Sequence, residues 1–321
     1  MAVVIDMGLQ NLQSVETDDA PSPFLPDSYV QYAWDATSLE WFKRCPRLYQ
    51  YKMIERWRSN DESVHLRFGS EFHEALHDYQ LLKADGLDHD ECVFHTVKEL
   101  LIRTDSWRPG HKYKNRPFLV RSVIRHLDKY RDDPAKVLVL PDGKLAVELN
   151  FSFELDWGPT DDQHYVLCGY LDRVVEFNDA LFVMDHKTTT TTLSDYYWKQ
   201  FEPNNQMTLY TLASGVIFES PVKGVIIDAG QLLMDDTRFV RHVTYRTPDQ
   251  LAEWVSDLKS WLEKAVEYAQ DEYWPMNDTA CDKYGGCEYR EVCSKSPSVR
   301  DKFLKADFKQ EEQWNPLSPR G

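Results

Sequence analysis

The chain has 321 residues, of which 42% are hydrophobic and 13% aromatic, so it can form one large domain or two smaller ones around a substantial core. Its net charge of -16 argues against a generally basic protein that coats nucleic acid, although a local basic groove is compatible with that charge. No apolar run in the sequence approaches the roughly 20 residues that span a bilayer, and the N-terminus lacks a basic segment followed by an apolar one. These features predict a cytoplasmic protein without a membrane partner.

The first part of the chain predicts an arm followed by a helix. Residues 1–30 combine Asp, Glu, Ser and Pro with little periodicity, which is typical of a flexible arm. A Ser/Thr cap at Thr37-Ser38 predicts the start of a helix, and an apolar stripe continues through it past Cys45. A lone cysteine on such a helix is usually a core residue.

A second helix is predicted from Ser63 to about Ala84, with aromatic and leucine side chains three and four residues apart on its buried face. His73 lies beside that face, so it is compatible with a core histidine, a surface histidine or a metal ligand. Two further helical patterns, at 91–103 and 116–131, form a predicted helical insert. Candidate basic stretches for DNA contact are 103–125 and the trio Arg238, Arg241 and His242, and a solvated charged face explains each of them equally well.

The predicted sheet begins near residue 136 and contains a hairpin with chemically active side chains. Two apolar β-type runs meet at Asn178-Asp179, a pair that favours a tight turn. Folding the hairpin back brings Asp172 alongside Asp185 and Lys187, and the last two point the same way because side chains alternate along a strand. Two carboxylates suit Mg²⁺ or Mn²⁺, and a neighbouring amine can assist the attack of water on a phosphate. Alone, an Asp-x-Lys triplet is more often an exposed hairpin with weak ion pairs.

Three further features flank the hairpin. Glu148, one strand earlier, is an equal candidate for an extra acidic ligand or for an outward-facing strand residue. A helix predicted over 204–219 places Gln206 and Tyr210 four residues apart, on one helix face. A second strand pair over 223–246 and a long helix to about residue 270 complete the predicted elements.

The six cysteines fall into two groups. In a cytoplasmic chain they favour packing or metal binding over disulfides. Cys92 and Cys168 have apolar surroundings and are predicted core residues. Cys281, Cys287 and Cys293 lie in a segment with few aliphatic side chains, which cannot hold itself together by burial.

The motif Gly-Tyr-Leu-Asp-Arg-Val, followed by a strand that ends Met-Asp-His-Lys-Thr, resembles the core of the PD-(D/E)XK nuclease superfamily, in particular its RecB-like and CRISPR-adaptation-type exonucleases. The segment Phe-Gly-Ser-Glu-Phe-His-Glu-Ala-Leu and the spacing Gln-x-x-x-Tyr are similar to two further motifs of that family. The resemblance implies an α/β fold: a mixed central β-sheet flanked by helices, with a restriction-endonuclease-like core, an N-terminal helical portion and a C-terminal cysteine cluster lobe. It assigns catalytic roles to Asp172, Asp185, Lys187, Gln206 and Tyr210, and metal binding to His73, Asp172, Asp185 and the carbonyl of His186.

The same resemblance groups the remaining cysteines. The pattern around Cys45 is similar to the entry segment of family members that carry a 4Fe-4S cluster, and Cys281, Cys287 and Cys293 would supply the other three thiolates. Five residues separate Cys281 from Cys287, where many relatives have two. Zn²⁺ at the same four cysteines is the alternative, although zinc modules favour closely paired ligands.

The resulting hypothesis is a metal-dependent DNA nuclease, an exonuclease on single strands or DNA ends, acting in recombination, repair, CRISPR adaptation or viral DNA processing. The alternative is a non-catalytic DNA-binding or scaffolding module that keeps the nuclease fold. No Walker A loop is present, so a helicase partner would be a separate chain. The predicted organisation is an arm (1–30), a nuclease domain (31–295) and a tail (296–321), the domain being divided into a helical portion (31–135), a catalytic sheet core (136–247) and a helix with the cysteine cluster (248–295).

Overall fold

The computed structural model describes residues 20–61, 63–218, 222–282 and 286–318. Residues 1–19 of the predicted arm, residues 283–285 of the cysteine segment and residues 319–321 of the predicted tail lie outside these ranges. Two compact units make up the chain, each assembled from segments that are distant in sequence. Unit 1 comprises Met1–Asp61, Asn150–Gly169 and Thr247–Gly321, and unit 2 comprises Glu62–Leu149 and Tyr170–Arg246.

Helices and strands alternate irregularly along the chain. The strands are β1 (Ala33–Trp34), β2 (Trp57–Ser59), β3 (Lys136–Val137), β4 (Val147–Glu154), β5 (Val166–Phe177), β6 (Ala180–Thr189), β7 (Val222–Leu232), β8 (Thr237–Thr244) and β9 (Phe308–Gln310). The α-helices are α1 (Ala36–Arg44), α2 (Pro46–Tyr49), α3 (Val64–Ala84), α4 (His89–Arg103), α5 (Arg116–Lys129), α6 (Asp195–Trp198), α7 (Asn205–Ile217), α8 (Pro248–Gln270), α9 (Arg290–Cys293) and α10 (Arg300–Asp307). None of the described helices is both long enough and apolar enough to cross a membrane.

A mixed sheet confirms the predicted α/β class. Among the described residues, seven strands form this sheet in the order β1-β5-β6-β7-β8, with β3 and β4 also paired with β5. The β5–β6 and β7–β8 pairs are antiparallel, whereas β6 and β7 run parallel. A connection between parallel strands needs a crossover, and α7 supplies it between β6 and β7.

In unit 2, helices α3, α4 and α5 form one layer on the sheet. Their apolar faces share a core with Leu232 of β7 and Phe239 of β8, and the helical contribution includes Phe68, Phe72 and Leu119. Asn and Ser side chains cap the starts of α3, α5 and α7, which satisfies backbone N–H groups that have no partner inside the helix. The predicted helical insert is therefore present as α4 and α5.

In unit 1, α1 and α8 contribute the longest helical segments. Asp35 caps α1 by accepting from Ser38, and α8 begins after the Thr247 cap with Pro248 in its first turn. The described part of the predicted arm is ordered here, with Phe24 and Val30 buried and a bridge between Phe24 and Gln31. This differs from the flexible arm expected for residues 20–30, because these two apolar side chains give the segment something to bury.

Candidate active site

The hairpin of β5 and β6 closes at Asn178-Asp179, as the sequence predicted. Both turn residues have left-handed backbones, with φ of 49° and 57°, which is the conformation that a two-residue type I′ turn requires. The register pairs Arg173 with Met184, so Asp172 and Asp185 are the next opposed positions beyond the last paired residues. The hairpin therefore brings the two acids together within unit 2.

Lys187 is held between an acid and an amide. Its Nζ lies 2.7 Å from Asp185 Oδ2 and donates to Gln206 Oε1 at 3.1 Å. Gln206 Nε2 in turn donates to the Tyr210 hydroxyl at 2.9 Å. The side chain of Asp185 is fully buried, whereas Lys187 keeps about a third of its side chain exposed. The arrangement fixes the lysine amine while part of its side chain remains exposed.

Asp172 forms the second half of the site, together with His73 of α3. His73 Nδ1 lies 3.2 Å from Asp172 Oδ2, which also accepts from the His186 N–H at 3.1 Å. His73 Nε2 lies 2.7 Å from the carbonyl oxygen of His186. These contacts bring together the four predicted metal-binding positions, since Asp185 precedes His186 in the same strand.

Glu148 also reaches this site. Its carboxylate and the ligand atoms of His73 and Asp172 all lie within 4.8 Å of one another. Glu148 adopts φ of 45° inside β4, a left-handed backbone that non-glycine residues rarely use and that proteins often retain at functional sites. Of the two interpretations that the sequence left open for Glu148, the geometry favours the acidic ligand.

Burial and neighbouring charges shift the pKa values of the two aspartates in opposite directions. Burial raises the pKa of Asp185, and the neighbouring Lys187 offsets only part of that rise. Burial acts on Asp172 as well, but His73 and Lys187 outweigh it and hold the pKa of Asp172 below its ordinary value. A divalent cation between these carboxyl groups would favour the ionised form of both.

The donor set fits a hard divalent cation. It consists of the buried Asp185, the partly buried Asp172, the adjacent glutamate, one backbone carbonyl and one imidazole, a set rich in oxygen as Mg²⁺ and Mn²⁺ prefer. The orientation of His73 towards both Asp172 and the His186 carbonyl gives the imidazole the position of a further ligand. These residues are the ones that would hold such an ion.

The four predicted cluster cysteines meet in unit 1. Cys45, Cys281, Cys287 and Cys293 line one cavity, whose wall also contains Arg44 and Arg290. Among the described residues, no three cysteine sulfurs lie within 4.8 Å of one another. Four thiols around one cavity form a sulfur donor set of the kind that binds zinc or iron.

The other two cysteines are buried core residues. Cys92 packs in the α3–α4–α5 core of unit 2, and Cys168 packs beside Ala33 and Val166 in unit 1. Burial raises the pKa of both thiols, so both stay protonated and unreactive at neutral pH.

Several candidate DNA-binding cations serve internal contacts instead. Arg103 pairs with Glu71 and Asp78, and Arg241 makes a two-pronged contact with Asp133. Arg121 donates to backbone carbonyls of the β7–β8 turn. The exposed cations that remain from those stretches are Arg108, Lys112 and Arg238.

Sequence reasoning missed a buried polar cluster behind β6. Asp228 of β7 is fully buried, and its Oδ2 lies 2.9 Å from His126 Nε2 and 3.3 Å from Arg241 Nη2. Two sequence signals were present: Asp228 is the acid within the apolar run Val-Ile-Ile-Asp-Ala, and His126 lies on the apolar stripe of α5. A charged residue at the centre of a buried strand needs a partner, and that requirement points to such a cluster.

Comparison with known proteins agrees with the fold and the motifs. Residues 33–294 match the family model of the PD-(D/E)XK nuclease superfamily. A solved structure from Eubacterium rectale, whose name as an exonuclease is provisional, has a similar fold, with a TM-score of 0.51, 12% identity, and coverage of 84% of this chain and 92% of that one. The solved structure of SSO0001 aligns with a TM-score of 0.29 and 11% identity, over 71% of this chain and 76% of that one. No curated protein matches the chain. Because the family model spans most of its length and the fold agrees, the chain belongs to the PD-(D/E)XK nuclease superfamily.

Proposed function

We propose that the protein hydrolyses DNA phosphodiester bonds with Mg²⁺ or Mn²⁺, as an exonuclease on single strands or DNA ends, of the RecB-like and CRISPR-adaptation type. The observation that supports this most is the fixed position of Lys187, whose amine contacts both Asp185 and Gln206 beside the second acid, Asp172. Because the chain belongs to the nuclease superfamily, we infer that these side chains act on a phosphodiester group. The setting is recombination, repair, CRISPR adaptation or viral DNA processing, with any helicase as a separate chain.

Asp172, Asp185, Glu148, His73 and the His186 carbonyl would hold the divalent ion. When bound, such an ion lowers the pKa of a coordinated water and offsets charge that develops on the phosphate. Lys187 orients the attacking water and stabilises negative charge on the phosphoryl oxygens through its amine. Gln206 restricts the lysine amine to that position, and Tyr210 restricts the Gln206 amide.

The second part of the proposal is a 4Fe-4S cluster on Cys45, Cys281, Cys287 and Cys293. Four thiols around one cavity support it, although Tyr289 and Val292 of the same segment are also buried in an apolar core. Arg44 lines the same cavity and partly offsets the rise that burial causes in the pKa of Cys287, whereas burial raises the pKa of Cys293 to about 11. The cluster would join the C-terminal cysteine segment to the α1–α2 junction, where Cys45 lies.

Substitution of the site lysine tests the nuclease proposal. Lys187→Ala should lower cleavage by about 10²- to 10³-fold, the usual cost of removing one group that stabilises transition-state charge. The assay uses DNA labelled at the 5′ or the 3′ end, single- and double-stranded, with Mg²⁺, with Mn²⁺ and with neither. Stepwise shortening from one end supports an exonuclease, and internal fragments support an endonuclease.

Lys223→Ala is the matched control. Lys223 is exposed near the start of β7, and the parallel register places it about 20 Å along the strand from Ala229, the partner of Lys187. Its cleavage rate should equal that of the wild type. Wild-type cleavage by Lys187→Ala would overturn the assignment, and no metal-dependent cleavage of any substrate by the wild type would favour the non-catalytic DNA-binding module.

A further inference from the structure

His186 connects the metal-binding side of β6 with its opposite side. Its main chain belongs to the site, because its N–H donates to Asp172 Oδ2 at 3.1 Å and its carbonyl oxygen lies 2.7 Å from His73 Nε2. Its side chain points away from Asp185 and Lys187, since neighbouring residues of a strand face opposite sides. The imidazole is only 3% exposed. A shift of the whole His186 main chain, including its Cα, therefore also moves a buried ring.

Asp228 is the carboxylate that faces the buried ring. The parallel register aligns His186 with Asp228 on the adjacent strand β7, so the two side chains are neighbours on one face of the sheet. Asp228 Oδ2 lies 3.5 Å from His186 Nδ1 and 2.9 Å from His126 Nε2, and the Asp228 side chain has no exposed surface. The ring of His126 lies 5.5 Å from that of His186, centroid to centroid. The His186 ring is thus enclosed by a carboxylate and a second imidazole.

The carboxylates of this cluster already have a cationic partner without a metal ion. Arg241 Nη2 lies 2.6 Å from Asp133 Oδ2 and 3.3 Å from Asp228 Oδ2. The ligand atoms of His126, His186 and Asp228 lie within 4.8 Å of one another, close enough to share an ion. A divalent ion there would add two positive charges beside the guanidinium group of Arg241, which is unfavourable at low dielectric.

We propose that Asp228 is a positioning residue of the nuclease site: it orients the His186 imidazole and so fixes the main-chain amide and carbonyl of His186 against Asp172 and His73. Asp228 contacts neither DNA nor the catalytic ion. The inference rests on the proposed function, because it concerns the same metal-binding atoms. Its expected signature is a loss of metal affinity that exceeds the loss of catalysis at saturating metal, since the ligands remain present but less well aligned.

The test is Mn²⁺ affinity, measured on the full-length protein by electron paramagnetic resonance and by titration calorimetry. Asp228→Asn keeps the size of the side chain and removes its charge. We expect its Kd for Mn²⁺ to rise about tenfold, within the usual range for loss of a group that orients a ligand. We also expect kcat at saturating Mn²⁺ to remain within about threefold of the wild-type value.

Two further variants separate positioning from general stability. Asp133→Asn removes the other carboxylate that contacts Arg241 but has no contact with His186, so it should lower stability and leave the Mn²⁺ Kd unchanged. Asp228→Asn combined with Arg241→Gln restores the charge balance of the cluster, so it should fold even if the single variant does not. Its Mn²⁺ Kd should rise as in Asp228→Asn.

The outcomes distinguish this inference from the proposed function. A wild type that neither binds Mn²⁺ nor cleaves DNA would remove both. If the wild type binds Mn²⁺ and cleaves DNA, and the folded double variant has the same Mn²⁺ Kd as the wild type, only the positioning role is overturned. Zinc or another ion retained stoichiometrically by the wild type and lost from Asp228→Asn would also overturn it, because Asp228 would then be a ligand.

Discussion

At the scale of single residues, Lys114 is an unusual feature, because lysine is rarely buried without an acidic partner. It is 5% exposed, and its Nζ donates to the Thr188 carbonyl at 3.3 Å and lies 5.4 Å from the ring centroid of Phe68. Burial lowers the pKa of Lys114 to about 8. Since Thr188 directly follows Lys187, Lys114 holds the end of the strand that carries the site lysine.

The lowered pKa predicts a pH-dependent stability. An unfolded lysine keeps a pKa near 10.4, so between about pH 8 and pH 10 the folded state binds fewer protons and its stability rises with pH. Lys114→Met should remove this rise. Between about pH 7.5 and about pH 10, the unfolding free energy of the wild type should rise by roughly 2 kcal/mol relative to that of the variant. Urea denaturation measures both.

Lys98→Met is the control for this prediction, because Lys98 is exposed on α4 of the same unit. Its stability should follow the wild type across the same pH range. If Lys114→Met also follows the wild type, Lys114 is protonated throughout this range in the folded protein.

At the scale of elements, the position of α7 determines where Gln206 contacts the amine of Lys187. The middle of the helix, from Met207 to Ser214, is buried, and the four-residue spacing sets Gln206 Nε2 2.9 Å from the Tyr210 hydroxyl. The Asn204 cap fixes where the helix begins and therefore which of its residues face β6. A helix placed by burial thus controls the position of one amine on a neighbouring strand.

Tyr210→Phe tests this control. The variant keeps the ring and loses the hydroxyl that accepts from Gln206, so Lys187 is less restricted and kcat should fall about three- to tenfold, the equivalent of about 1 kcal/mol. Tyr79→Phe is a matched control, since Tyr79 is also buried in unit 2 and its hydroxyl bonds to His89 Nδ1 at 2.8 Å. Both variants should lose similar stability, and equal cleavage rates would contradict the role of Tyr210.

At the scale of the whole molecule, the cysteine cavity organises unit 1. It brings the junction of α1 and α2 together with the segment from Cys281 to Cys293, more than two hundred residues later in the chain. The Asn277 N–H donates to Cys45 Sγ at 3.3 Å, and Asn277 Nδ2 donates to the Arg44 carbonyl at 2.9 Å. A metal group there would stabilise the folded unit, because the ligands come together only on folding.

Cys287→Ala should reduce the iron content of anaerobically purified protein severalfold, lose the brown colour and lower the melting temperature. Cys92→Ala is its control: it also removes one buried thiol, but from the core of unit 2, so stability should fall while iron is retained. A colourless wild type with bound zinc would replace the iron–sulfur proposal by the zinc alternative, and unchanged iron in Cys287→Ala would remove Cys287 from the ligand set.

The sequence by itself determined the elements and the local part of the site. Alternating apolar runs around Asn178-Asp179 predicted the hairpin that joins Asp172 to Asp185, and helical spacing predicted the pairing of Gln206 with Tyr210. These features depend on neighbours within a few residues, or on one turn, so local patterns are sufficient to define them. The motifs that these residues form also indicated the superfamily to which the chain belongs.

Only the tertiary structure decided which distant side chains meet. Glu148 joins His73 and Asp172 through an unusual backbone conformation, and Asp228 finds His126 and Arg241 on α5 and β8. The tertiary structure also turned Arg103 and Arg241 from candidate DNA contacts into partners of internal acids. A buried charge requires a counter-charge, but the sequence does not say which one, because that depends on how strands and helices from separate parts of the chain pack.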